Sequence, residues 1–296
     1  MPEEGVDKFA AVNGMQFHYV DWSGEGRPIV LLHGLASNSR IWDMVAPILS
    51  QKYRIVALDQ RGHGDTDKPD HGYEFASVID DLNRFINMMD FQKPIIVGHS
   101  WGGDVALEYA VIHPAKPAGL CFVDGGTIEI AGREGWDLEQ AKIDMAPPIF
   151  SGVTFEGMLE RSRSRWGFTR SDEQSERFIR ANFQIQEDGT VQPKFSRANH
   201  MRIIEALWDH RPSELYPSVD CPVLMMPARQ KEQNPEMART FRREESIARA
   251  ESLFRNSKTV WLEDSIHDVP VQRPELVASV ISEHIDSGFF QPVMSG

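Results

Sequence analysis

The sequence predicts an α/β fold: a mostly parallel central sheet of about eight strands with helices on both faces, and a mainly helical cap inserted after the sixth strand. Three observations carry this expectation. Short, uninterrupted apolar runs such as Pro28-Ile29-Val30-Leu31-Leu32 alternate with segments of helical spacing, the pattern of strands buried on both faces. That alternation stops after residue 123 and resumes with Pro222-Val223-Leu224-Met225-Met226. Between an apolar run and a helical pattern stands Gly98-His99-Ser100-Trp101-Gly102, a serine bracketed by glycines where strand gives way to helix.

The elements follow in order. Residues 9–12 and 15–21 flank Asn13-Gly14, the dipeptide of a tight hairpin, and read as two antiparallel strands. The strand at 28–32 ends in His33-Gly34, helical spacing runs through Ile41, Val45 and Ile48, and Arg54-Ile55-Val56-Ala57-Leu58 ends at Asp59. A helix over 75–90 leads into Pro94-Ile95-Ile96-Val97, and a second helix ends near His113-Pro114 ahead of a strand at 118–123. Residues 125–217 carry helical pieces rich in Met, Phe and Trp without convincing strand alternation, so they form the cap, and 1–124 with 218–296 form the core. A charged helix over 235–254, the run Thr259-Val260-Trp261-Leu262 and a final helix after Arg273-Pro274 complete the chain. The cluster Arg239, Arg242, Arg243, Glu244, Glu245 and Arg249 reads as a solvated helix face with internal ion pairs.

With 296 residues, 41% hydrophobic, the chain can bury a large core. Its net charge of −13 argues against nucleic acid or an anionic membrane as the main partner. Cys121 and Cys221 read as buried thiols, not a disulfide. The acidic start, Met1-Pro2-Glu3-Glu4-Gly5, lacks the basic and apolar parts of a leader, and no run is long enough to span a bilayer, so the expectation is a cytoplasmic protein. Asp59 and Asp65 resemble a metal pair only superficially, without matching His or Cys ligands, and neither metal nor cofactor is expected.

A Gly-bracketed serine at a helix N-terminus stands in a strained turn, exposed, where unpaired N–H groups favour developing negative charge. Its hydroxyl needs a base to remove the proton and an acid to orient that base. Of the ten histidines, His267 alone lies in a loop immediately after the last apolar strand, in Glu263-Asp264-Ser265-Ile266-His267-Asp268, and strand ends of a parallel sheet gather on one edge. For the acid, the loop after the post-cap strand reads Pro227-Ala228-Arg229-Gln230-Lys231-Glu232, basic where an aspartate would be expected. Asp124, at the end of the strand before the cap, is therefore favoured, with Glu232 the main alternative and Glu129 or Asp264 behind it. A capping role for Asp124 before Gly125-Gly126 is its plainer reading. The oxyanion donors are expected at the backbone N–H groups of Trp101 and Leu35, with His33 bracing the loop. His99 and Trp101 either pack in the core or line the pocket, and His99, Met145 and Trp166 are the candidate pocket residues.

His33-Gly34, Asp59-Gln60-Arg61-Gly62-His63-Gly64, the Ser100 segment and His267, in the order Ser, acid, His, resemble the α/β-hydrolase fold, in its capped, Ser-nucleophile esterase and C–C hydrolase type. The resemblance covers nearly the whole chain. It implies a cap after the sixth strand, matching residues 125–217, and includes a less common arrangement with the acid before the cap. A serine at the elbow also argues against haloalkane dehalogenase and epoxide hydrolase chemistry, where the resemblance implies Asp. The expected activity is hydrolysis of a carboxylic ester or related acyl bond in a small, largely apolar molecule, since a Met-rich and aromatic cap can surround varied shapes. C–C bond hydrolysis or lactone opening on the same triad is the alternative. A small-molecule receptor that retains the triad is the reading outside catalysis.

Overall fold

The computed structural model describes residues 4–133, 135–166, 171–229 and 237–291. Strands β1 (Val6–Val12) and β2 (Met15–Asp21) form an antiparallel hairpin whose turn residues, Asn13 and Gly14, both have positive φ, at 52° and 73°. β3 (Pro28–Leu32), α1 (Ala46–Leu49), β4 (Arg54–Leu58), α2 (Phe75–Met88), β5 (Ile95–His99), α3 (Trp101–Ile112) and β6 (Gly119–Val123) then alternate.

Residues between β6 and the next core strand build the insertion. It holds α4 (Leu138–Asp144), α5 (Phe155–Trp166), α6 (Asp172–Asn182), β7 (Phe183–Ile185), β8 (Val191–Pro193), α7 (Arg197–Asp209) and α8 (Pro212–Leu215). Asp137, Ser171 and Ser196 cap α4, α6 and α7 with side-chain oxygens, which fixes where each helix begins. The β7–β8 hairpin adds a short strand pair to the mainly helical insertion, where no strand alternation was expected. Its signal in the sequence is Asp188-Gly189: Gly189 has φ 79°, and the Asp188 carboxylate accepts the Thr190 N–H at 2.9 Å.

The core resumes with β9 (Val223–Met226), β10 (Ala228–Arg229), α9 (Met237–Leu253), β11 (Ser257–Thr259), β12 (Leu262–Glu263), α10 (Val269–Gln272) and α11 (Pro274–Asp286). The main sheet has eight strands in the order β1-β2-β4-β3-β5-β6-β9-β11, parallel from β4 onward. The strand expected over 259–262 divides. Its start pairs with β9, while Leu262 and Glu263 pair with Ala228 and Arg229 in a separate two-stranded parallel sheet. This pairing delivers the loop after β12 to the end of β6.

Continuous apolar strands have a direct cause here. In β3, Val30 and Leu32 face one apolar cluster, with α2 and α3, while Ile29 and Leu31 face the other, with α1 and α11. All four are fully buried, so no position along the strand can be polar. Cys121 and Cys221 are both free and buried, and burial pushes their thiols up, Cys221 to about 12. Among the described residues no helix is long and apolar enough to cross a membrane.

Two buried histidines carry ion pairs that tie elements together. His18 on β2 joins Asp59, after β4, at 2.7 Å and Asp7 on β1 at 2.8 Å. Asp59 also accepts the N–H groups of Ser39 at 2.6 Å and Asp65 at 2.9 Å, so its carboxylate is occupied by the scaffold. His210, at the end of α7, joins Glu108 at 2.9 Å and Asp104 at 3.2 Å on α3, clamping the insertion to the helix behind Ser100. Burial alone would depress both imidazoles, but the paired carboxylates win and raise each from 6.5 to about 9. The stabilisation these cations supply is therefore complete below about pH 6.5 and lost as pH rises through about 9. Urea denaturation between pH 7 and 10 should show a falling midpoint, and His18→Gln should flatten the fall in part, leaving the share due to His210.

Candidate active site

Ser100 sits between β5 and α3 with φ 52° and ψ −127°, a left-handed conformation that costs a non-glycine residue about 1–3 kcal/mol. The surroundings impose it. Its N–H donates to Val123 O at 3.1 Å, and its carbonyl accepts the Gly103 N–H at 2.8 Å. A Cβ on Gly98 would lie 2.2 Å from Gly102 O, and one on Gly125 would lie 2.1 Å from Ser100 O, so both positions exclude any side chain.

Asp124 follows β6, also with positive φ, at 47°. Its backbone N–H reaches Met226 O at 3.0 Å, tying it to β9. Oδ2 accepts from His267 Nδ1 at 2.6 Å, and Oδ1 accepts the Ala228 N–H at 3.0 Å. The Asp124 side chain is 2% exposed, which would raise its pKa, yet the His267 hydrogen bond and charge, with Arg243 and the Ala228 N–H, hold it below the usual carboxylate range. The His267 side chain is 45% exposed. With Nδ1–H given to Asp124, Nε2 carries the lone pair.

The loop carrying His267 is fixed from two sides. Ile266 N–H donates to Gln272 Oε1 at 2.7 Å, and His99 Nε2–H donates to His267 O at 2.8 Å. His99 does not line the pocket, contrary to expectation. It is 2% exposed, its ring centroid lies 4.7 Å from that of His267, and burial with the His267 charge pushes its pKa down to about 4, so it stays neutral.

The stretch expected to supply oxyanion donors lies against the serine. A Cβ on Gly34 would stand 2.9 Å from Ser100 Cβ, which places the Gly34–Leu35 segment beside the Ser100 turn. Trp101 is the first residue of α3, and a helix's first N–H groups have no acceptor within it. The residues after Asp59 hold the Leu35 loop. His33 Nε2 accepts the Gln60 N–H at 3.0 Å, Gln60 Nε2 donates to His33 O at 2.8 Å, and His63 Nε2 accepts the Ala36 N–H at 3.3 Å. Burial depresses both His33 and His63, so the loop is braced by neutral rings.

Ser100, Asp124 and His267 open onto one cavity of about 1180 Å³. Phe122, Met225, Met226 and Ile247 form its core side, while Ile128, Trp136 and Met145 line it from the insertion side. Met145, a candidate pocket residue, lines this cavity. The Trp166 side chain and all of Glu232 lie outside the described residues. Glu129 lines the cavity but pairs with Ser213 at 3.1 Å, and the partner of His267 Nδ1 is Asp124 rather than Asp264. The charged helix also departs from its reading as a solvated face: Arg243 on α9 turns into the cavity wall and lies 3.3 Å from Asp124 Oδ1. Helical spacing marked Arg243 as charged, but only the fold of α9 over the strand ends gives it this partner. Arg239 and Arg242 have side chains outside the described residues.

A family model described as the alpha/beta hydrolase fold matches residues 27–269. The chain belongs to the alpha/beta-hydrolase fold family. It is 37% identical over 101 residues to the soluble epoxide hydrolase of Corynebacterium sp. (strain C12), covering 34% of this chain and 35% of that protein. It is 32% identical over 158 residues to the 2-hydroxy-6-oxo-6-(2'-aminophenyl)hexa-2,4-dienoic acid hydrolase of Metapseudomonas resinovorans, covering 52% and 51%. The chain thus spans about a third to a half of these curated relatives. Among solved structures, E-2-(acetamidomethylene)succinate hydrolase superposes with a TM-score of 0.76 at 22% identity over 95% of this chain and 99% of that one, a likeness of fold.

The Gly125 contact yields a test. Gly125→Ala should displace the Ser100 peptide and slow labelling of Ser100 by a serine-directed phosphonate ~10²-fold, the effect of a misplacement of about 1 Å. Labelling at the wild-type rate would show that the contact does not set the geometry.

Proposed function

We propose that this hydrolase cleaves a carboxylic ester or related acyl bond through Ser100, His267 and Asp124. The 2.6 Å contact between His267 Nδ1 and the buried Asp124 carboxylate, on the cavity that Ser100 also lines, carries the reading. His267 Nε2 takes the Ser100 proton as Oγ bonds to the acyl carbon, and the carbonyl electron pair moves to oxygen, facing the Leu35 and Trp101 N–H groups. Collapse breaks the bond to the leaving group, which receives the proton from His267. Water then attacks the acyl-enzyme, gives its proton to His267, and the acid leaves as Ser100 regains that proton. No cofactor enters this scheme, and residues 125–217 act as a cap over the cavity. The apolar part of the wall, with Trp136, Met145 and Ile247, supports a small molecule with a sizeable apolar portion, set beside the ionic side chains that share the wall.

Serine chemistry does not extend to the epoxide activity named for the Corynebacterium relative. An alkoxide opening an epoxide would leave an ether on the enzyme, with no carbonyl for water to attack, whereas a carboxylate nucleophile leaves a hydrolysable ester. A second reading, C–C hydrolysis of a diketone on the same residues, is favoured by the 158-residue similarity to the dienoic acid hydrolase.

A panel of p-nitrophenyl esters of increasing chain length, lactones and diketones, run on wild type and Ser100→Ala, tests both readings. Turnover of esters that Ser100→Ala abolishes is the expected result, and turnover confined to diketones would favour the second reading. Single labelling by the phosphonate with no turnover of any substrate would point to a receptor instead. Asp124→Asn should lower kcat by ~10⁴, while Glu232→Gln should leave it near wild type. The reverse pattern would move the acid to the segment after β10.

A further inference from the structure

The acid of the proposed triad is gripped by a cation that the reaction scheme leaves unused. Arg243 Nη1 donates to Ala228 O at 2.7 Å and lies 3.3 Å from Asp124 Oδ1. The same Oδ1 accepts the Ala228 N–H at 3.0 Å, so Arg243, Ala228 and Asp124 close a small ring of polar contacts. Oδ2 is left for His267. The guanidinium also lines the cavity with Ser100 and His267. We propose that Arg243 is a positioning residue of the hydrolytic site, holding Asp124 in the orientation that serves His267 and limiting how strongly the acid draws a proton onto that imidazole. The proposal rests on the reading of Ser100, His267 and Asp124 as a triad.

The physical case is one of charge balance. A buried carboxylate with one imidazole partner favours the imidazolium, and an imidazolium cannot accept the serine proton. A fixed cation on the far oxygen offsets that pull, so the base stays neutral and competent to a lower pH. The offset has a cost, since the imidazolium formed during attack is held less tightly.

Other groups around His267 set the background. His99, whose ring is tilted against that of His267 with centroids 4.7 Å apart, is neutral, and Asp268 adjoins His267 in the chain. Glu245 of α9 lines the cavity with Arg243, and Glu129, Arg133 and Asp144 line it from the insertion side. Arg243 is the cation that the structure pairs with Asp124.

The test uses the full-length protein with ¹³C-labelled histidine and follows the His267 imidazole by NMR across pH, its resonance assigned with His267→Gln. In Arg243→Gln the titration should move upward by ~0.5–1 pH unit, the scale of one charge lost from beside the acid in a partly screened site. The acid limb of kcat/KM for a neutral p-nitrophenyl ester should move with it. Arg243→Lys, which keeps the charge, should titrate with wild type, and thermal melts of both variants establish that they fold. An unmoved titration in folded Arg243→Gln overturns the proposal. So does a KM increase confined to anionic esters without a titration shift, which would make Arg243 a substrate anchor. Failure of the triad reading is separately visible, because Ser100→Ala would then retain turnover while the imidazole titration still reads the effect of Arg243.

Discussion

The left-handed backbone at Ser100 is the constraint from which the rest of the site follows. A residue with a side chain adopts it only where neighbours leave no alternative, and here the neighbours are backbone: Val123 O, the Gly103 N–H and the bare faces of Gly98 and Gly125. The parallel register of β5 and β6 puts Val123 opposite His99. The residues that follow those two strands, Ser100 and Asp124, therefore emerge side by side, and both have positive φ. One turn carries the Ser100 hydroxyl and its neighbour carries the Asp124 carboxylate.

Positive charge is distributed around this edge with some economy. His18 and His210 sit away from the cavity, where each lies between two carboxylates and joins elements that the sheet alone would not hold together. His33, His63 and His99, the imidazoles that brace the Leu35 and His267 loops, are depressed by burial and stay neutral. Among the described residues, charge at this edge comes from Asp124, Arg243 and the other ionic side chains of the cavity wall.

Much of this was legible in the sequence, for physical reasons that differ between elements. The inner strands could be read because burial on both faces forbids polar residues, as at Ile29 to Leu32. The Asn13-Gly14 turn could be read because few residue pairs tolerate two positive φ values. The contact of Asp124 with His267 was within reach because Arg229 and Lys231 stand where an acid was expected. What stayed hidden depends on tertiary placement. Nothing local shows that the run at 259–262 divides so that Leu262 can pair with Ala228, or that His99 turns to the His267 carbonyl instead of the pocket. Arg243 is one charge among several on an amphipathic helix until the helix is laid across the strand ends. The β7–β8 hairpin had a signal in Asp188-Gly189, masked by the helical residues on either side.

The bracing of the Leu35 loop also shapes how the site meets soft metal ions. Four imidazoles stand in two contacting pairs, His33 with His63 and His99 with His267, at centroid separations of 4.9 and 4.7 Å, a density that elsewhere would invite zinc or copper. At His33 and His63 the acceptor nitrogen already takes a backbone N–H, from Gln60 and Ala36. At His99 the remaining nitrogen is sealed in the interior. Only the outer nitrogen of His267 is left with an accessible lone pair, so the cluster offers a soft ion one donor where a chelate needs at least two. Packing alone thus makes this imidazole-rich edge of the sheet a poor trap for the metals its composition would attract.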